Sequence, residues 1–283
     1  MKTLILLGAG QMGQAAYRLV NQTHYKVLAF ADNNSMLWGT TLCGHPLLSV
    51  EDAVSAAPDG ILIAVAGAER TEQLRAQLLE LGYSGQIRTL VEFAEALDIR
   101  NAVFALLADR LERLPGALAE LGVYRGDFAA ELNRRFPERN LYLFDTFEGF
   151  DLRDLNTETQ NGYSRSVEGE FSDTTLELVL SKMTTQHNVV VQKGYFPDTT
   201  EGMDPELRFA MVSLDADLYE PTFNGLKWFY PRMVSGGVIL LHDYQNARFS
   251  GVHAAVEAFE RKFGPLLLLP VGDLHGSAMV IHP

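Results

Sequence analysis

The chain has 283 residues, of which 47% are hydrophobic and 21% charged, so it has the composition of a folded globular protein and the length for one large or two ordinary domains. A formal net charge of −13, spread without long runs, argues against binding to nucleic acid or to an anionic membrane surface. The single cysteine, Cys43, excludes an internal disulfide, and no stretch approaches the ~18 consecutive apolar residues of a membrane helix.

Residues 1–95 predict a small α/β domain, because short apolar runs alternate with helical patterns. The opening run MKTLILL ends in glycines rather than in a signal-peptide cleavage site, so we expect it to be a buried strand of a cytoplasmic protein. A helix follows this strand up to residue 20, and another is predicted over 69–81. Further strands are predicted at 26–31, 61–65 and 85–90.

A G-x-G-x-x-G turn, formed by Gly8, Gly10 and Gly13, links the first strand to its helix. In this fingerprint the glycines let a phosphate approach a helix N-terminus, and an acidic residue about 20 positions later binds a ribose hydroxyl. Asp32, at the end of the second strand, has that position. These four residues predict a Rossmann-like nucleotide site, and a turn whose glycines serve packing alone remains the alternative.

The ligand of this domain is suggested by residues 30–53, which resemble part of the amino-terminal domains of bacterial sugar-modifying enzymes. In those domains such a unit holds a nucleotide-linked sugar. A nicotinamide cofactor is the rival ligand, and the protein would then be an oxidoreductase. That interpretation ranks second, because a unit of about 95 residues makes only half of a dinucleotide-binding domain and we find no partner for a hydride acceptor.

Residues 91–114 have a helical pattern, so we expect a helical linker over 96–115 and a second domain over 116–283. The second domain again alternates strands with helices, which predicts a doubly wound α/β sheet. Its strands are predicted at 117–121, 141–144, 188–192, 209–214, 238–241, 266–269 and 277–281, the last two as a hairpin. Its helices are predicted at 127–136, 174–183, 220–230 and 252–263.

The first strand of the second domain runs into an E-x-G-x-x-x-G turn that begins at Glu120. The wider glycine spacing suits a ligand without a pyrophosphate, since the backbone can pass close to an amino-acid group and a ribose. Asp145, at the end of the next strand, is placed to accept both ribose hydroxyls. This combination predicts S-adenosylmethionine, with simple capping by the two acids as the alternative. The cofactor-binding residues that we expect are Glu120, Gly122, Tyr124, Gly126, Asp145, Thr146, Phe147, Gly194, Tyr195 and Asp215.

Two further segments belong to the expected ligand pocket. A third strand ends at Gly194 and Tyr195, where an adenine ring would lie against backbone and aromatic surface. The polar segment 151–173, which contains Tyr163 and Arg165, is too long for an ordinary connection and predicts a lid over the acceptor. A plain surface loop is the alternative.

Acidic residues follow two apolar runs, 209–214 and 238–241, which are expected to be neighbouring buried strands. Ligands of an open α/β sheet bind beyond the carboxyl ends of its strands. We therefore expect one crevice to be lined by Asp215, Asp217, His242 and Asp243. The alternative is that these residues cap the helices that follow.

Six motifs of the second domain resemble, in the same order, those of the macrocin-type O-methyltransferases, the TylF/MycF/NovP family of class I S-adenosylmethionine-dependent enzymes. They lie between residues 115 and 263 and are ELGVYRG, LFDTFEGF, KGYFPDT, LDADLYEPT, YPRMVSGGV and HDY. The resemblance implies a seven-stranded class I methyltransferase fold with a C-terminal hairpin. It also implies methyl transfer to a hydroxyl of a small-molecule substrate, either a sugar such as a nucleotide-sugar or a glycosylated metabolite.

Several members of this family hold magnesium with acidic residues at two strand ends. The resemblance therefore implies that Asp215, His242 and Asp243 are both metal ligands and catalytic residues. The family's usual Asp-Asp pair is a His-Asp pair here, which leaves open whether a metal binds and whether it is Mg²⁺ or another divalent cation. The acceptor's proton would go to Asp215 or to His242. A non-catalytic cofactor-binding protein is the remaining alternative, and the sequence leaves open whether the chain forms a homo-oligomer.

Overall fold

The structure, a computed structural model, describes residues 1–96 and 98–283, with the side chains of residues 94–96 left out. The chain folds into two compact units, Met1–Asp98 and Ile99–Pro283. Each unit has its own sheet and its own hydrophobic core. Within the described residues, every helix is too short or too polar to cross a membrane.

The first unit is a six-stranded sheet with the order β3-β4-β2-β1-β5-β6, in which only the short β3–β4 pair is antiparallel. Side chains of the central strand β1 alternate between two faces, so Ile5 and Leu7 enter one apolar cluster while Leu4 and Leu6 enter the other. The elements are β1 Lys2–Leu7, α1 Gln11–Leu19, β2 Tyr25–Ala31, β3 Thr41–Leu42, β4 His45–Leu48, α2 Val50–Ser55, β5 Gly60–Ile63, α3 Ala68–Glu80, β6 Gln86–Thr89 and α4 Leu90–Ala96.

The second unit is a seven-stranded sheet with the order β12-β13-β11-β10-β7-β8-β9. Only β13 runs antiparallel to its neighbours, β11 and β12, so the predicted doubly wound sheet and its C-terminal hairpin are confirmed. The elements are α5 Ile99–Leu111, β7 Ala117–Leu121, α6 Asp127–Arg135, β8 Leu141–Asp145, α7 Leu152–Asn161, α8 Leu176–Ser181, β9 Val189–Lys193, β10 Phe209–Leu214, α9 Tyr219–Phe229, β11 Met233–Leu241, α10 Ser250–Phe263, β12 Leu267–Pro270 and β13 Ala278–Ile281.

Helices cover both faces of this second sheet. One apolar cluster joins β7, β10 and β11 to α9 and α10, and the other joins the opposite face of the same strands to α5 and α6. Helix α5 belongs to this core through Phe104 and Leu111, which are 3% and 0% exposed. The residues expected to form a linker thus include a core helix of the second unit.

The polar segment 151–173 is not a plain loop throughout, because its first half is helix α7, and its role as a lid stays a prediction. Asp151 caps the helix by accepting the Arg153 amide at 2.9 Å, and Gly162 ends it in a left-handed conformation with φ 67°. The helix buries Leu155 and Glu158 on one face, a spacing of three residues that a polar composition conceals. Only the second half of the segment, residues 162–173, is without a regular element.

Strand β11 begins at Met233, five residues before the predicted start at 238. Gly236 and Gly237 lie within this strand, opposite a register shift in β10. Gly236 has a φ of 78°, so the two glycines allow an irregular strand rather than a turn.

Candidate active site

The carboxyl ends of the central strands of the second unit meet at one edge of the sheet. Backbone hydrogen bonds continue past the strand ends, from Asp215 N to Leu121 O at 2.8 Å and from His242 N to Leu214 O at 3.0 Å. The loops that leave β7, β10 and β11 therefore start side by side. This edge brings together the expected cofactor turn and the acidic cluster.

The turn after β7 requires glycine where the chain approaches β10. Gly122 has a φ of 83°, and a Cβ there would lie 2.0 Å from the carbonyl oxygen of Asp215. Gly126 has a φ of 77° and packs against Val179 of α8. The wide glycine spacing thus permits a close backbone approach at its first position and a helix entry at its second.

Asp145 binds three backbone amides at this edge. Its Oδ2 accepts from Val123 N at 2.6 Å and Tyr124 N at 2.9 Å, and its Oδ1 accepts from Phe147 N at 2.6 Å. The carboxylate therefore holds the turn after β7 beside the turn after β8. Thr146 contributes to the second turn by donating its hydroxyl to Gly149 O at 2.7 Å.

Glu120 is buried, with 2% of its surface exposed. Its Oε1 accepts from the Ser213 hydroxyl at 3.1 Å, while its Oε2 has no hydrogen-bond partner among the described residues. Burial raises the pKa of Glu120 to about 8, against a smaller opposing effect of Arg100. An orphaned carboxylate oxygen beside the glycine turn fits a ligand that brings a polar hydrogen or a cation.

The third strand end is arranged differently from its two neighbours. Gly194 has a φ of 138°, and the hydroxyl of Tyr195 donates to Asp154 Oδ1 of α7 at 2.8 Å. The guanidinium of Arg153 lies 3.4 Å from the centre of the Tyr195 ring. One ring face is thus covered by α7, which connects this strand end to the helix that the sequence did not predict.

The four polar residues at the ends of β10 and β11 form one cluster. Each of Asp215, Asp217, His242 and Asp243 offers a ligand atom, and these atoms all lie within 4.8 Å of one another. His242 Nδ1 is 3.0 Å from Asp215 Oδ1 and is also hydrogen-bonded to Asp243 Oδ2. Oxygen and imidazole donors at this spacing fit a divalent cation.

Three residues around this cluster were missed by the sequence analysis. Arg100 of α5 pairs with Asp215 Oδ2 at 2.5 Å, and Asn246 donates to Asp243 Oδ1. The ring of His275, in the β12–β13 turn, lies 4.7 Å from the ring of His242. The sequence analysis placed Arg100 in a linker and His275 in a hairpin turn. The polar Asp-Leu-His sequence between two glycines was the only signal that could have indicated His275 as a site residue.

The charged groups of the cluster shift one another's pKa values. Burial alone would raise the pKa of Asp215, but the His242 and Arg100 cations hold it below its ordinary value. Burial would lower the pKa of His242, whereas the carboxylates of Asp215 and Asp243 raise it well above the ordinary value. Burial and the nearby carboxylates of Asp215 and Asp243 raise the pKa of Asp217. The cluster therefore combines proton-holding groups with groups that stay ionised.

The three glycines in the turn of the first unit differ in how closely other atoms surround them. A Cβ on Gly13 would lie 1.9 Å from Gly8 O, and one on Gly8 would lie 2.6 Å from Ala64 O. A Cβ on Gly10 would meet nothing within 4 Å. Asp32 accepts the amide of Ala9 at 2.8 Å through Oδ2, so it supports the turn. Gly8 and Gly13 thus have a packing role, and Gly10 faces open space.

The sheet order with one antiparallel strand, the glycine turn after β7 and the acidic strand ends define a class I methyltransferase. Residues 95–265 match the model of the family described as Macrocin-O-methyltransferase (TylF). The chain belongs to this family and is an S-adenosylmethionine-dependent methyltransferase. The match leaves out residues 1–94, which form most of the first unit.

Similar proteins include two named O-methyltransferases. The 8-demethyl-8-(2,3-dimethoxy-alpha-L-rhamnosyl)-tetracenomycin-C 4'-O-methyltransferase of Streptomyces olivaceus is 25% identical, over 72% of this chain and 78% of its own. The Mycinamicin III 3''-O-methyltransferase of Micromonospora griseorubida is 26% identical, over 57% of this chain and 67% of its own. The solved structure of CalS11, a calicheamicin methyltransferase, shares the fold with a TM-score of 0.51 and 23% identity, covering 77% of this chain and 94% of that one.

Proposed function

We propose that the protein transfers the methyl group of S-adenosylmethionine to a hydroxyl of a sugar or of a glycosylated metabolite. The observation that carries this proposal is the juxtaposition of the glycine turn and the acidic cluster, since Gly122 touches the backbone of Asp215. Family membership supports the methyl donor, and one relative is named as the 4'-O-methyltransferase of a rhamnosyl-bearing tetracenomycin. A nicotinamide-dependent oxidoreductase is not favoured by any of these observations.

The donor pocket in this proposal lies over the ends of β7, β8 and β9. Gly122 lets the amino-acid part of the donor approach the backbone, and Asp145 holds the two turns that flank the ribose. Glu120 supplies its unpartnered Oε2 from below. The remaining pocket residues are Tyr124, Gly126, Thr146, Phe147, Gly194, Tyr195 and Asp215.

The acidic cluster in this proposal positions the acceptor and receives its proton. The acceptor oxygen forms a bond to the methyl carbon, the sulfur keeps the electron pair of the broken bond, and the hydroxyl proton passes to Asp215 or His242. A divalent cation held by Asp215, His242 and Asp243 would lower the pKa of the hydroxyl and orient it. Alignment of donor and acceptor supplies much of the rate, because it makes the reaction effectively unimolecular.

The test is a methyl-transfer assay with labelled S-adenosylmethionine against nucleotide-sugars and glycosylated metabolites. We expect transfer to at least one acceptor, loss of turnover on chelation, and recovery with a divalent ion. Asp243→Asn should abolish turnover and leave S-adenosylhomocysteine affinity within a few-fold, while the exposed Asp109→Asn should behave as wild type. Full turnover by a chelated, metal-free enzyme would refute the cation's role, and absence of S-adenosylhomocysteine binding would refute the donor.

We propose for the first unit that it binds a nucleotide or nucleotide-sugar at Gly8, Gly10, Gly13 and Asp32. The open space above Gly10 favours this role over packing alone. Gly10→Val should fill that space and abolish the binding of nucleoside diphosphate sugars in calorimetry, with donor affinity unchanged. Gly8→Ala is unsuitable as a test, because its Cβ would strike Ala64 O. Equal nucleotide binding by Gly10→Val and wild type would show that the glycine turn does not hold the nucleotide, and absence of binding by the wild-type chain would leave the unit a packing or assembly domain.

A further inference from the structure

The turn between β12 and β13 is held firmly beside the acidic cluster. It is closed by hydrogen bonds from Val271 N to Ser277 O at 2.8 Å and from Ser277 N to Asp273 Oδ1 at 2.9 Å. It is also joined to the loop after β11, since Gln245 N donates to Gly276 O at 2.8 Å. Because Gln245 comes two residues after Asp243, the position of the turn is tied to the cluster.

This attachment brings a second imidazole to the site. The rings of His275 and His242 have their centres 4.7 Å apart. One ligand atom each from His242, Asp243 and His275 lie within 4.8 Å of one another, so these three residues form a second group of potential metal ligands. This group shares His242 and Asp243 with the group that contains Asp215 and Asp217. A cation bound by His242 and Asp243 is therefore within reach of the hairpin turn.

The same turn carries a buried carboxylate oxygen that lacks a partner. Asp273 is only 8% exposed, and its Oδ2 accepts no hydrogen bond from the described residues. Asp273 lines a small cavity of about 10 Å³ together with His242, Arg100, Ser213 and Ser277. A histidine that binds a metal through one ring nitrogen donates its other N–H, most often to a carboxylate or carbonyl. Asp273 Oδ2 is an acceptor of this kind in the cavity that His242 lines.

We propose that the β12–β13 turn completes the metal centre: His275 binds the cation together with His242 and Asp243, and Asp273 supports the imidazoles from behind. Two imidazole nitrogens shift the preference of a site from Mg²⁺ toward Fe²⁺, Co²⁺ and Zn²⁺, whereas an all-carboxylate site favours Mg²⁺. The centre accordingly selects a transition-metal ion. This inference rests on the proposed function, because it concerns the cation of that site.

The test uses the full chain, freed of metal with a chelator and titrated with Co²⁺ or Mg²⁺ in separate calorimetric experiments. We expect one Co²⁺ per chain, bound at least a hundredfold more tightly than Mg²⁺, with visible absorption bands from nitrogen and oxygen ligation. His275→Ala should weaken Co²⁺ at least tenfold and alter the bands while changing Mg²⁺ affinity by less than threefold. Asp273→Asn should weaken Co²⁺ by about 10- to 100-fold, as removal of a supporting carboxylate does in other sites.

The matched control is His187→Ala, which removes an exposed histidine of the same unit and should leave both titrations unchanged. Equal Co²⁺ affinity and equal absorption in His275→Ala and wild type would overturn the inference, as would tighter binding of Mg²⁺ than of Co²⁺. S-adenosylhomocysteine binding, measured on the same metal-free samples, reports on the proposed function alone. If the chain binds S-adenosylhomocysteine but fails to bind Co²⁺, the metal centre is refuted and the methyl donor stands.

Discussion

The carboxylate of Asp145 accepts three backbone amides, and two of the hydrogen bonds are 2.6 Å long. Asp145→Ala leaves these amides without their partner and frees the turns after β7 and β8. Hydrogen bonds to a charged group contribute about 1.5–3 kcal/mol each, so S-adenosylhomocysteine affinity should fall at least tenfold in calorimetry. Asp145→Asn keeps an acceptor oxygen and should lose less S-adenosylhomocysteine affinity than Asp145→Ala does. A folded Asp145→Ala protein with wild-type affinity would show that the turns do not hold the donor.

Asp154 gives the second unit a measurable pH dependence. Burial raises the pKa of this carboxyl to about 7, against the opposing effect of its Tyr195 hydrogen bond. The folded chain therefore binds more protons than the unfolded chain between the ordinary pKa of 3.8 and about 7, and stability falls as pH rises through this window. Asp154→Asn should reduce the slope of unfolding free energy by up to about 1.4 kcal/mol per pH unit.

The measurement is urea denaturation between pH 5 and pH 8, followed by the fluorescence of Trp228 in a Trp38→Phe background, so that only the second unit reports. Asp109→Asn, whose side chain is 86% exposed, serves as the control and should keep the wild-type slope. Parallel pH profiles for Asp154→Asn and wild type would show that this carboxyl is ionised in the folded chain.

At the scale of elements, the two halves of the segment 151–173 are attached in different ways. Helix α7 is held by apolar contacts of Leu155 and by Glu158, which accepts the Tyr219 amide at 2.7 Å. Residues 162–173 form no regular element and are held by exposed polar contacts, such as the Tyr124 hydroxyl to Asp173 at 2.7 Å, and by ring contacts of Tyr163 with Tyr219 and of Phe171 with Phe150. The lid predicted from the sequence is therefore confined, as a proposal, to the second half.

We expect amide hydrogen exchange in residues 162–173 to slow when S-adenosylhomocysteine and an acceptor are both bound, because the segment then orders over the acceptor. Helix α7 should already be protected in the free chain and should change little, which provides an internal control. Exchange rates that are the same in the free and the doubly liganded protein would leave residues 162–173 a plain surface loop.

For the whole molecule, the division after Asp98 predicts which fragment can fold. A fragment of residues 99–283 keeps α5, Arg100 and the complete core, and we expect it to bind S-adenosylhomocysteine within threefold of the full chain. A fragment of residues 116–283 lacks Phe104 and Leu111, and the loss of such buried side chains costs about 2–5 kcal/mol each. It should be aggregated or only partly folded by circular dichroism. Equal folding and binding of the two fragments would show that α5 is dispensable.

The sequence by itself determined the features that depend on local pattern. Runs of consecutive apolar residues occur where strands are buried on both faces, so the central strands of both sheets were predictable. The turn after β7 was predictable from its glycines. Gly122 passes so close to Asp215 O that a Cβ could not fit there, and the position therefore requires glycine. The cluster of Asp215, Asp217, His242 and Asp243 was predictable because parallel strands end at the same edge.

Tertiary structure alone decided the features in which distant segments meet. Helix α5 packs in the second core, and its Arg100 reaches Asp215 across 115 positions. A sheet face must be covered by other elements, but no local sequence pattern indicates which helix covers it. His275 reaches His242 only because β13 inserts antiparallel beside β11 and carries its turn to the same edge. Helix α7 escaped prediction because its buried acids, Asp154 and Glu158, look like solvent-facing residues until their partners, Tyr195 after β9 and Tyr219 of α9, are known.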